Sequence, residues 1–190
     1  MVSFMKAVFL DRDGTVNVEV PNYLTNIQDL EIIEETYEAI RLLKQHGYKV
    51  FIATNQACVN KGLLKESELH RIHNKIVELL AEQKAFLDAV YYCPHIPQEG
   101  CTCRKPDTGM IKRAQEEHGI HPDKSFFVGD RLFDIRAGKT GGLKTVLVKT
   151  GAGAKTLEII QTEFPNEHPD FVANHILEAA HWIIQSRPSV

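Results

Sequence analysis

The sequence lacks long apolar runs and carries little excess charge of either sign. No stretch approaches the roughly 20 apolar residues that span a bilayer. With a net charge of −3, the chain has no broad basic surface for nucleic acid. Its N-terminus has no basic region followed by a long apolar run, so we expect no signal peptide and a cytoplasmic location. We therefore expect neither a membrane nor a nucleic acid as a partner.

Internal repeats, low-complexity tracts and linkers rich in proline or glycine are also absent. The 190 residues suffice for one sizeable core, and a composition of 43% hydrophobic and 25% charged residues is ordinary for a globular protein. No predicted helix shows a heptad seam. We therefore expect a single domain over residues 1–190 and a monomer.

Cysteine is scarce, and three of the four thiols lie close together. Cys93, His95, Cys101 and Cys103 supply three thiols and one imidazole within eleven residues. In a cytoplasmic chain this set favours zinc over a disulfide, with free thiols as the remaining alternative. Because a Cys₃His set completes the tetrahedral coordination of zinc, the loop of about residues 93–103 is predicted to bind a structural Zn²⁺.

Apolar strands and amphipathic helices alternate along the chain. The predicted strands cover residues 5–10, 48–53, 86–92, 125–129 and 143–148. The predicted helices cover residues 34–46, 66–84, 107–118, 132–140, 155–163 and 175–185. This order indicates an α/β fold, a Rossmann-like three-layer αβα sandwich with a mainly parallel sheet, and no stretch is long enough for a large cap domain. We expect histidines on these helices, such as His70 and His73, to be solvated.

Two carboxylates follow the first strand, two residues apart. Asp11 and Asp13 belong to the run Asp-Arg-Asp-Gly-Thr, directly after apolar residues. Side chains alternate along a strand, so both carboxylates are expected to face the carboxyl edge of the sheet, where open α/β folds bind ligands. Gly14 allows a sharp turn there. The pair suits a nucleophile and a general acid/base beside a metal ion, although a polar turn is the simpler alternative.

Two further segments at strand or loop ends suit the binding of phosphate. Thr54, Asn55 and Gln56 follow the second strand, where a hydroxyl and backbone N–H groups can hold phosphate oxygens. Arg104 and Lys105 follow the irregular loop and offer two cations. Each segment alone could equally be a helix cap or a solvated surface.

A fourth segment offers oxygen ligands for a metal. Asp130 follows the fourth predicted strand, and Asp134 lies one helical turn further on. Hard oxygen ligands of this kind suit Mg²⁺. Since all four segments occur in order along the alternating pattern, we interpret them as parts of one site.

These segments resemble the four motifs of the haloacid dehalogenase-like phosphatases, and the resemblance covers nearly the whole chain. It implies that Asp11 attacks phosphorus and forms an aspartyl phosphate. It implies that Asp13 protonates the leaving oxygen and then deprotonates the attacking water. Thr54 and Lys105 would hold the transferring phosphoryl group, in keeping with the need for positioning and charge neutralisation in phosphoryl transfer.

The same resemblance implies a catalytic Mg²⁺. Its ligands would be the Asp11 carboxylate, the backbone carbonyl of Asp13 and the Asp130 carboxylate. Asp134 is expected to orient the metal site or Lys105 rather than bind the ion.

Two subgroups of the family carry a zinc loop of this kind, one acting on a heptose bisphosphate and one on histidinol phosphate. Residues 54–62, 146–151 and 169–180 resemble the heptose subgroup, which implies a small phosphorylated sugar as substrate. Cys58 and Lys61 depart from that subgroup, where glycine and arginine are usual. The residues expected to contact substrate are Asn55, Gln56, Arg104, Arg131, Glu19, Asn22, Tyr23 and Lys61.

A non-catalytic binding module held together by zinc is an alternative reading. It is disfavoured because Asp11, Asp13, Lys105 and Asp130 are all present, whereas a degenerate domain is expected to lack at least one. A phosphatase acting on nucleic acid ends is disfavoured by the absence of a basic patch with interleaved aromatic residues.

Overall fold

Runs of apolar residues form the six strands of one sheet. The computed structural model describes residues 5–186, so both ends of the predicted domain lie outside the described residues. The strands are β1 (Ala7–Leu10), β2 (Lys49–Asn55), β3 (Ala89–Cys93), β4 (Phe126–Gly129), β5 (Lys144–Val148) and β6 (Phe171–Ala173). Their order is β3-β2-β1-β4-β5-β6, and all neighbours pair in parallel.

Helices connect these strands and cover both faces of the sheet. They are α1 (Glu35–Gln45), α2 (Glu66–Glu82), α3 (Gly109–His118), α4 (Leu132–Thr140), α5 (Gly153–Glu163) and α6 (Ile176–Gln185). Val8 and Leu10 pack toward α1, α2 and α6, whereas Ala7 and Phe9 pack toward α3 and α4. A smaller cluster packs α5 against α4 and β5. The predicted αβα sandwich with a parallel sheet is confirmed.

Three phenylalanines form a row across the centre of the sheet. Phe9 is in register with Phe51 on one neighbouring strand and with Phe127 on the other. The ring centroids of Phe9 lie 5.3 Å from Phe51 and 6.1 Å from Phe127. Such pairs contribute about 0.5–1.5 kcal/mol each beyond the burial of their area. The row packs together β2, β1 and β4, the three strands that polar site segments follow.

The strand order reverses between β1 and β4. From β1 the chain runs outward through β2 and β3, and then crosses to the other side of β1 to form β4. In open parallel sheets this reversal leaves a crevice at the carboxyl ends of the two central strands. Asp11 follows β1 and Asp130 follows β4, so the reversal brings these two carboxylates together.

β6, β3 and α5 are among the elements that differ from the sequence-based prediction. β6 was not predicted, because a strand of three residues is too short to show an alternating pattern. β3 begins at Ala89 rather than at residue 86, and Phe86 is 54% exposed. α5 begins at Gly153 rather than at residue 155. A Cβ atom at position 153 would collide with the carbonyl oxygen of Val148, so this close approach requires glycine. Each helix within residues 5–186 is too short or too polar to span a bilayer.

The Asp88 carboxylate joins α1 to the start of β2. It accepts hydrogen bonds from Lys44 at 2.6 Å, Lys49 at 2.8 Å and the backbone N–H of Val50 at 2.8 Å. Burial acts to raise the pKa of Asp88, but the lysines and the Val50 N–H outweigh it, and the pKa is lowered. A lowered folded-state pKa stabilises the fold above the unfolded pKa, and this contribution is lost as the pH falls through the folded value.

We therefore expect Asp88→Asn to lower the free energy of unfolding by about 1 kcal/mol at neutral pH. The difference from wild type should shrink as the pH falls from about 4 to about 2. Urea unfolding over a pH series measures both effects. Exposed Glu158 on α5 offers a matched control, since Glu158→Gln should change stability by less than about 0.5 kcal/mol throughout. An equal loss at every pH would contradict the charge-based explanation.

Candidate active site

The polar segments singled out in the sequence meet at one cavity of about 320 Å³ at the carboxyl edge of the sheet. The predicted site residues that line it are Asp11, Asp13, Glu19, Asn22, Tyr23, Thr54, Asn55, Arg104 and Arg131. Val20, Pro21, Ala57 and Phe133 complete the lining. Lys105, Asp130 and Asp134 are buried beside Asp11.

Lys105 lies between two carboxylates that come from different parts of the chain. Its ammonium donates to Asp11 Oδ1 at 2.7 Å and lies 2.6 Å from Asp134 Oδ1. Burial acts to lower the pKa of Lys105, but the two carboxylates outweigh it and raise the pKa. Lys105 is therefore a permanent positive charge beside Asp11, suited to offset negative charge on a bound phosphoryl group.

The carboxylates around Lys105 have the composition of a cation site. Asp11, Asp130 and Asp134 bring oxygen atoms within 4.8 Å of one another, and all three residues are buried. If all three are ionised, Lys105 leaves two negative charges, which one divalent cation would neutralise.

Asp130 shows the clearest sign of a missing partner. Its Oδ2 accepts a hydrogen bond from the Ala152 N–H at 2.7 Å, whereas its buried Oδ1 has no hydrogen-bond partner among residues 5–186. Burial, reinforced by Asp11 and Asp134, raises the pKa of Asp130 to about 8. A buried carboxylate oxygen without a partner is costly unless the group takes up a proton or binds a cation. Asp130, Asp11 and Asp134 supply the oxygen ligands that Mg²⁺ prefers, so the residues present fit this cation.

Gly14 is required where the loop after β1 passes Asp130. Its φ of +79° lies in the left-handed region. A Cβ atom at Gly14 would also lie 2.5 Å from Asp130 Oδ2. The turn after the Asp-Arg-Asp run therefore excludes any residue with a side chain.

Asp13 is held by a different set of partners from those of Asp11. The guanidinium of Arg12 donates to both Asp13 oxygens at 2.8–3.1 Å. Gln56 donates to Oδ2 at 2.9 Å and Asn17 donates to Oδ1 at 3.1 Å. Burial acts to raise the pKa of Asp13, but Arg12 and these hydrogen bonds together lower it. Asp13 therefore favours its carboxylate form, with its position set by three neighbours.

Thr54 near the end of β2 and Gln56 just after it are joined by a side-chain hydrogen bond. Thr54 lines the cavity, and its Oγ1 accepts a hydrogen bond from Gln56 Nε2 at 2.9 Å. The threonine hydroxyl can therefore donate its own proton toward the cavity. Gln56 is completely buried and lies outside the cavity lining. We correct its expected substrate contact to the positioning of Asp13 and Thr54.

Asn55 joins the end of β2 to the backbone of Lys105. Its Nδ2 donates to the Lys105 carbonyl at 3.0 Å, and its Oδ1 accepts from the Lys105 N–H at 3.0 Å. Asn55 does line the cavity, but both ends of its amide are engaged in this paired contact. Its geometry favours positioning of Lys105 over the substrate contact expected from the sequence.

The other six residues expected to contact substrate divide into two groups. Glu19, Asn22, Tyr23, Arg104 and Arg131 face the cavity. Arg131 forms an ion pair with Glu19, and Arg104 donates to the backbone carbonyl of His95 at 3.0 Å.

Lys61 belongs to the other group, because it is exposed and outside the lining. It donates to the Tyr23 hydroxyl at 2.9 Å. In this arrangement Lys61 supports Tyr23, and its contact with substrate stays a prediction.

The four predicted zinc ligands form a compact cluster beside this site. The sulfur atoms of Cys93, Cys101 and Cys103 lie 3.0–3.5 Å apart, and all three are free thiols. His95 Nδ1 lies 3.5 Å from the Cys93 sulfur and 3.2 Å from the Cys103 sulfur. Five of the six separations among these donors are 3.0–3.5 Å, and all four donor atoms lie within 4.8 Å of one another. Three thiols and one imidazole gathered this closely fit tetrahedral Zn²⁺.

The roles of two residues near the site were not predicted from the sequence. Arg12 is completely buried and binds Asp13, and its Nη1 lies 3.2 Å from His73 Nε2 on α2. The expectation that His73 is solvated is wrong, since it is only 6% exposed. Its spacing from Leu69 and Ile76 on the apolar stripe of α2 was the signal that could have revealed its burial.

Comparison with known proteins agrees with this architecture. Residues 102–179 match the HAD-hydrolase-like family model. The D-glycero-beta-D-manno-heptose-1,7-bisphosphate 7-phosphatase of Pseudomonas aeruginosa is 38% identical over 150 residues, covering 79% of this chain and 84% of the relative. The D-glycero-alpha-D-manno-heptose-1,7-bisphosphate 7-phosphatase of Campylobacter jejuni is 37% identical over 143 residues, covering 75% and 81%.

A solved structure extends this similarity to nearly the whole fold. The crystal structure of D,D-heptose 1,7-bisphosphate phosphatase from B. bronchiseptica, complexed with magnesium and phosphate, superposes with a TM-score of 0.87 at 33% identity. The match covers 96% of this chain and 100% of that one. This chain therefore belongs to the haloacid dehalogenase-like phosphoric monoester hydrolases and, within them, to the family of heptose bisphosphate phosphatases.

The thiol cluster predicts one zinc ion per chain. Protein purified under reducing conditions should contain about one zinc, and Cys101→Ser should lose most of it and unfold at a lower temperature. Elemental analysis and thermal unfolding measure these effects. Cys58→Ser is the matched control and should keep its zinc, because the Cys58 sulfur lies against Gln56 rather than the cluster. The structural role would be overturned if wild-type protein stripped of zinc melted at the same temperature as wild-type protein that contains zinc.

Proposed function

We propose that this chain is a magnesium-dependent phosphatase that hydrolyses the 7-phosphate ester of D-glycero-D-manno-heptose 1,7-bisphosphate. The observation that carries the proposal is the meeting of Asp11, Asp13 and Thr54 at one cavity, with the Lys105 ammonium bonded to Asp11 beside it. The names of the P. aeruginosa and C. jejuni relatives support this substrate over histidinol phosphate. The reaction would be a step toward nucleotide-activated heptose for the lipopolysaccharide core.

Asp11 is the proposed nucleophile. As its carboxylate oxygen bonds to phosphorus, the bond between phosphorus and the sugar oxygen breaks, and an aspartyl phosphate forms. Lys105 holds Asp11 in place and offsets charge on the phosphoryl oxygens, and the Thr54 hydroxyl donates to one of them.

Asp13 is the proposed acid and base. A phosphate dianion bound beside Asp13 opposes the ionisation of its carboxyl, which can then hold the proton that the leaving sugar oxygen needs. After the sugar departs, the carboxylate form takes a proton from the water that attacks the aspartyl phosphate. The Arg12, Gln56 and Asn17 contacts keep Asp13 in one place through both steps.

Mg²⁺ is the proposed catalytic cofactor. It would be held by the Asp11 carboxylate, the backbone carbonyl of Asp13 and Asp130, with Asp134 directed to Lys105 and to the Arg131 N–H. When bound, it would neutralise negative charge on the phosphoryl group. The magnesium and phosphate in the B. bronchiseptica structure support this assignment.

Substrate recognition is assigned to the open side of the cavity. Arg104 and Arg131 are the proposed partners of the second phosphate, and the Arg131–Glu19 ion pair must open to release the guanidinium. Asn22 and Tyr23 are proposed to contact the sugar. Free, closely spaced thiols suit a reducing compartment, which supports the proposed cytoplasmic location.

Replacement of the nucleophile tests the mechanism. Asp11→Asn should reduce phosphate release by roughly a thousand-fold or more, because a neutral amide cannot form the aspartyl phosphate. The fold and the zinc content should be kept, because the Lys105 ammonium still pairs with Asp134 and the thiol cluster is unchanged. Phosphate release, circular dichroism and elemental analysis measure these three properties. Exposed Asp29 supplies the control Asp29→Asn, and full activity in Asp11→Asn would rule out this nucleophile.

A substrate comparison tests the specificity. Phosphate release in the presence of Mg²⁺ should favour one anomer of the heptose bisphosphate over histidinol phosphate by about 100-fold or more in kcat/KM, equivalent to about 2.7 kcal/mol. The two relatives carry different anomers in their names, so both anomers belong in the assay. A preference for histidinol phosphate would overturn the heptose assignment and leave the Asp11 mechanism in place.

A further inference from the structure

Arg12 is a charged side chain without any exposure, and its donors serve two partners. Nε and Nη2 bind the Asp13 carboxylate, and Nη1 lies 3.2 Å from His73 Nε2. A guanidinium only donates hydrogen bonds, so His73 Nε2 must accept. Fully buried, Arg12 has no solvent to replace a lost partner, and an unpaired donor there is costly.

His73 is suited to remain a neutral acceptor. Its Nε2 carries no proton, so the ring is the tautomer with hydrogen on Nδ1. Burial, reinforced by the charge of Arg12, lowers the pKa of His73 to about 3. The ring also packs at 5.5 Å from the ring of Tyr92 on β3. The imidazole therefore presents one lone pair to Arg12 from a fixed position on α2.

We propose that His73 is a positioning residue for Asp13, acting through Arg12. By accepting the hydrogen bond from Nη1, His73 fixes the plane of the guanidinium, and the opposite edge of that plane fixes the Asp13 carboxylate at the cavity. The inference rests on the proposed function, in which Asp13 is the acid and base. Within residues 5–186, His73 itself contacts no cavity-lining residue and no proposed metal ligand, so its effect should reach the site through Arg12 and Asp13.

A misplaced Asp13 should harm some substrates more than others. An alkoxide leaving group needs a proton from Asp13 as the bond to phosphorus breaks, whereas the stabilised phenolate of para-nitrophenyl phosphate leaves without one. The ratio kcat/KM reports the steps up to formation of the aspartyl phosphate, where this proton is used. A general loss of structure would lower both activities together.

The test compares His73→Asn with His73→Gln. A glutamine amide oxygen can reach the place of Nε2, while the shorter asparagine ends before it, so the two polar variants differ in the contact to Arg12. His70→Asn is the matched control on the same helix, since His70 is exposed and contacts Tyr92 rather than Arg12. Asp13→Asn shows how activity toward the two substrates changes when the proposed general acid is removed completely.

With a heptose bisphosphate as substrate, His73→Asn should lower kcat/KM by roughly 10- to 100-fold, a part of the usual contribution of a general acid. With para-nitrophenyl phosphate the change should stay within about 3-fold. His73→Gln should recover most of the activity, and His70→Asn should behave as wild type. Thermal unfolding of each variant is recorded alongside.

Three results would overturn the positioning role. These are unchanged activity of His73→Asn toward both substrates, an equal loss toward both, and failure of His73→Gln to recover activity when it folds as wild type. Failure of the proposed function looks different. In that case wild-type protein releases no phosphate from the heptose ester, or Asp13→Asn shows no dependence on the leaving group.

Discussion

The buried ammonium of Lys105 is the constraint on which the site depends. It is 3% exposed and pairs with Asp11 at the end of β1 and with Asp134 on α4. An isolated ammonium at this depth would lose its proton or draw in water, because burial disfavours the charged form. The two carboxylates reverse that preference and raise its pKa. The pairing holds β1, the loop before α3 and α4 in one arrangement, and removal of either carboxylate would leave a buried charge only partly compensated.

The segment that carries Lys105 has little regular structure of its own, so other contacts must hold it. The thiol cluster gathers Cys93, at the end of β3, and Cys103, two residues before Lys105. Asn55 then fixes the Lys105 backbone through two reciprocal hydrogen bonds. With zinc in the cluster, a short loop gains the rigidity that a helix or strand would otherwise supply. The proposed Zn²⁺ would have four protein ligands and no open position for substrate. It would still affect the reaction, because it would position Lys105, which is proposed to neutralise charge on the phosphoryl group.

The two carboxylates of the Asp-Arg-Asp run occupy different electrostatic environments. Asp11 shares its surroundings with Asp130, Asp134 and one ammonium, an arrangement that favours a cation. Asp13 faces a buried guanidinium and two amides, which lower its pKa. Adjacent groups of one chemical type can take different roles when their neighbours differ, and this division matches the proposed nucleophile and acid/base. Arg12, between the two aspartates in sequence, achieves this separation by turning away from the cavity toward α2.

Local patterns in the sequence were enough to predict the alternation of strands and helices, the parallel sheet, the four polar segments at strand and loop ends, and the thiol and imidazole set. Each of these features follows from the periodicity of apolar residues or from residue types that lie close together in the sequence and suit a particular ligand. The tertiary structure alone decided the strand order that brings Asp130 beside Asp11, the inward turn of Gln56, and the burial of His73 against Arg12, 61 residues away. Beyond the end of a strand the alternation rule no longer fixes side-chain direction, and a distant partner leaves no local pattern. β6 escaped prediction for a related reason, because a three-residue strand is defined by its pairing with β5 and not by its own composition.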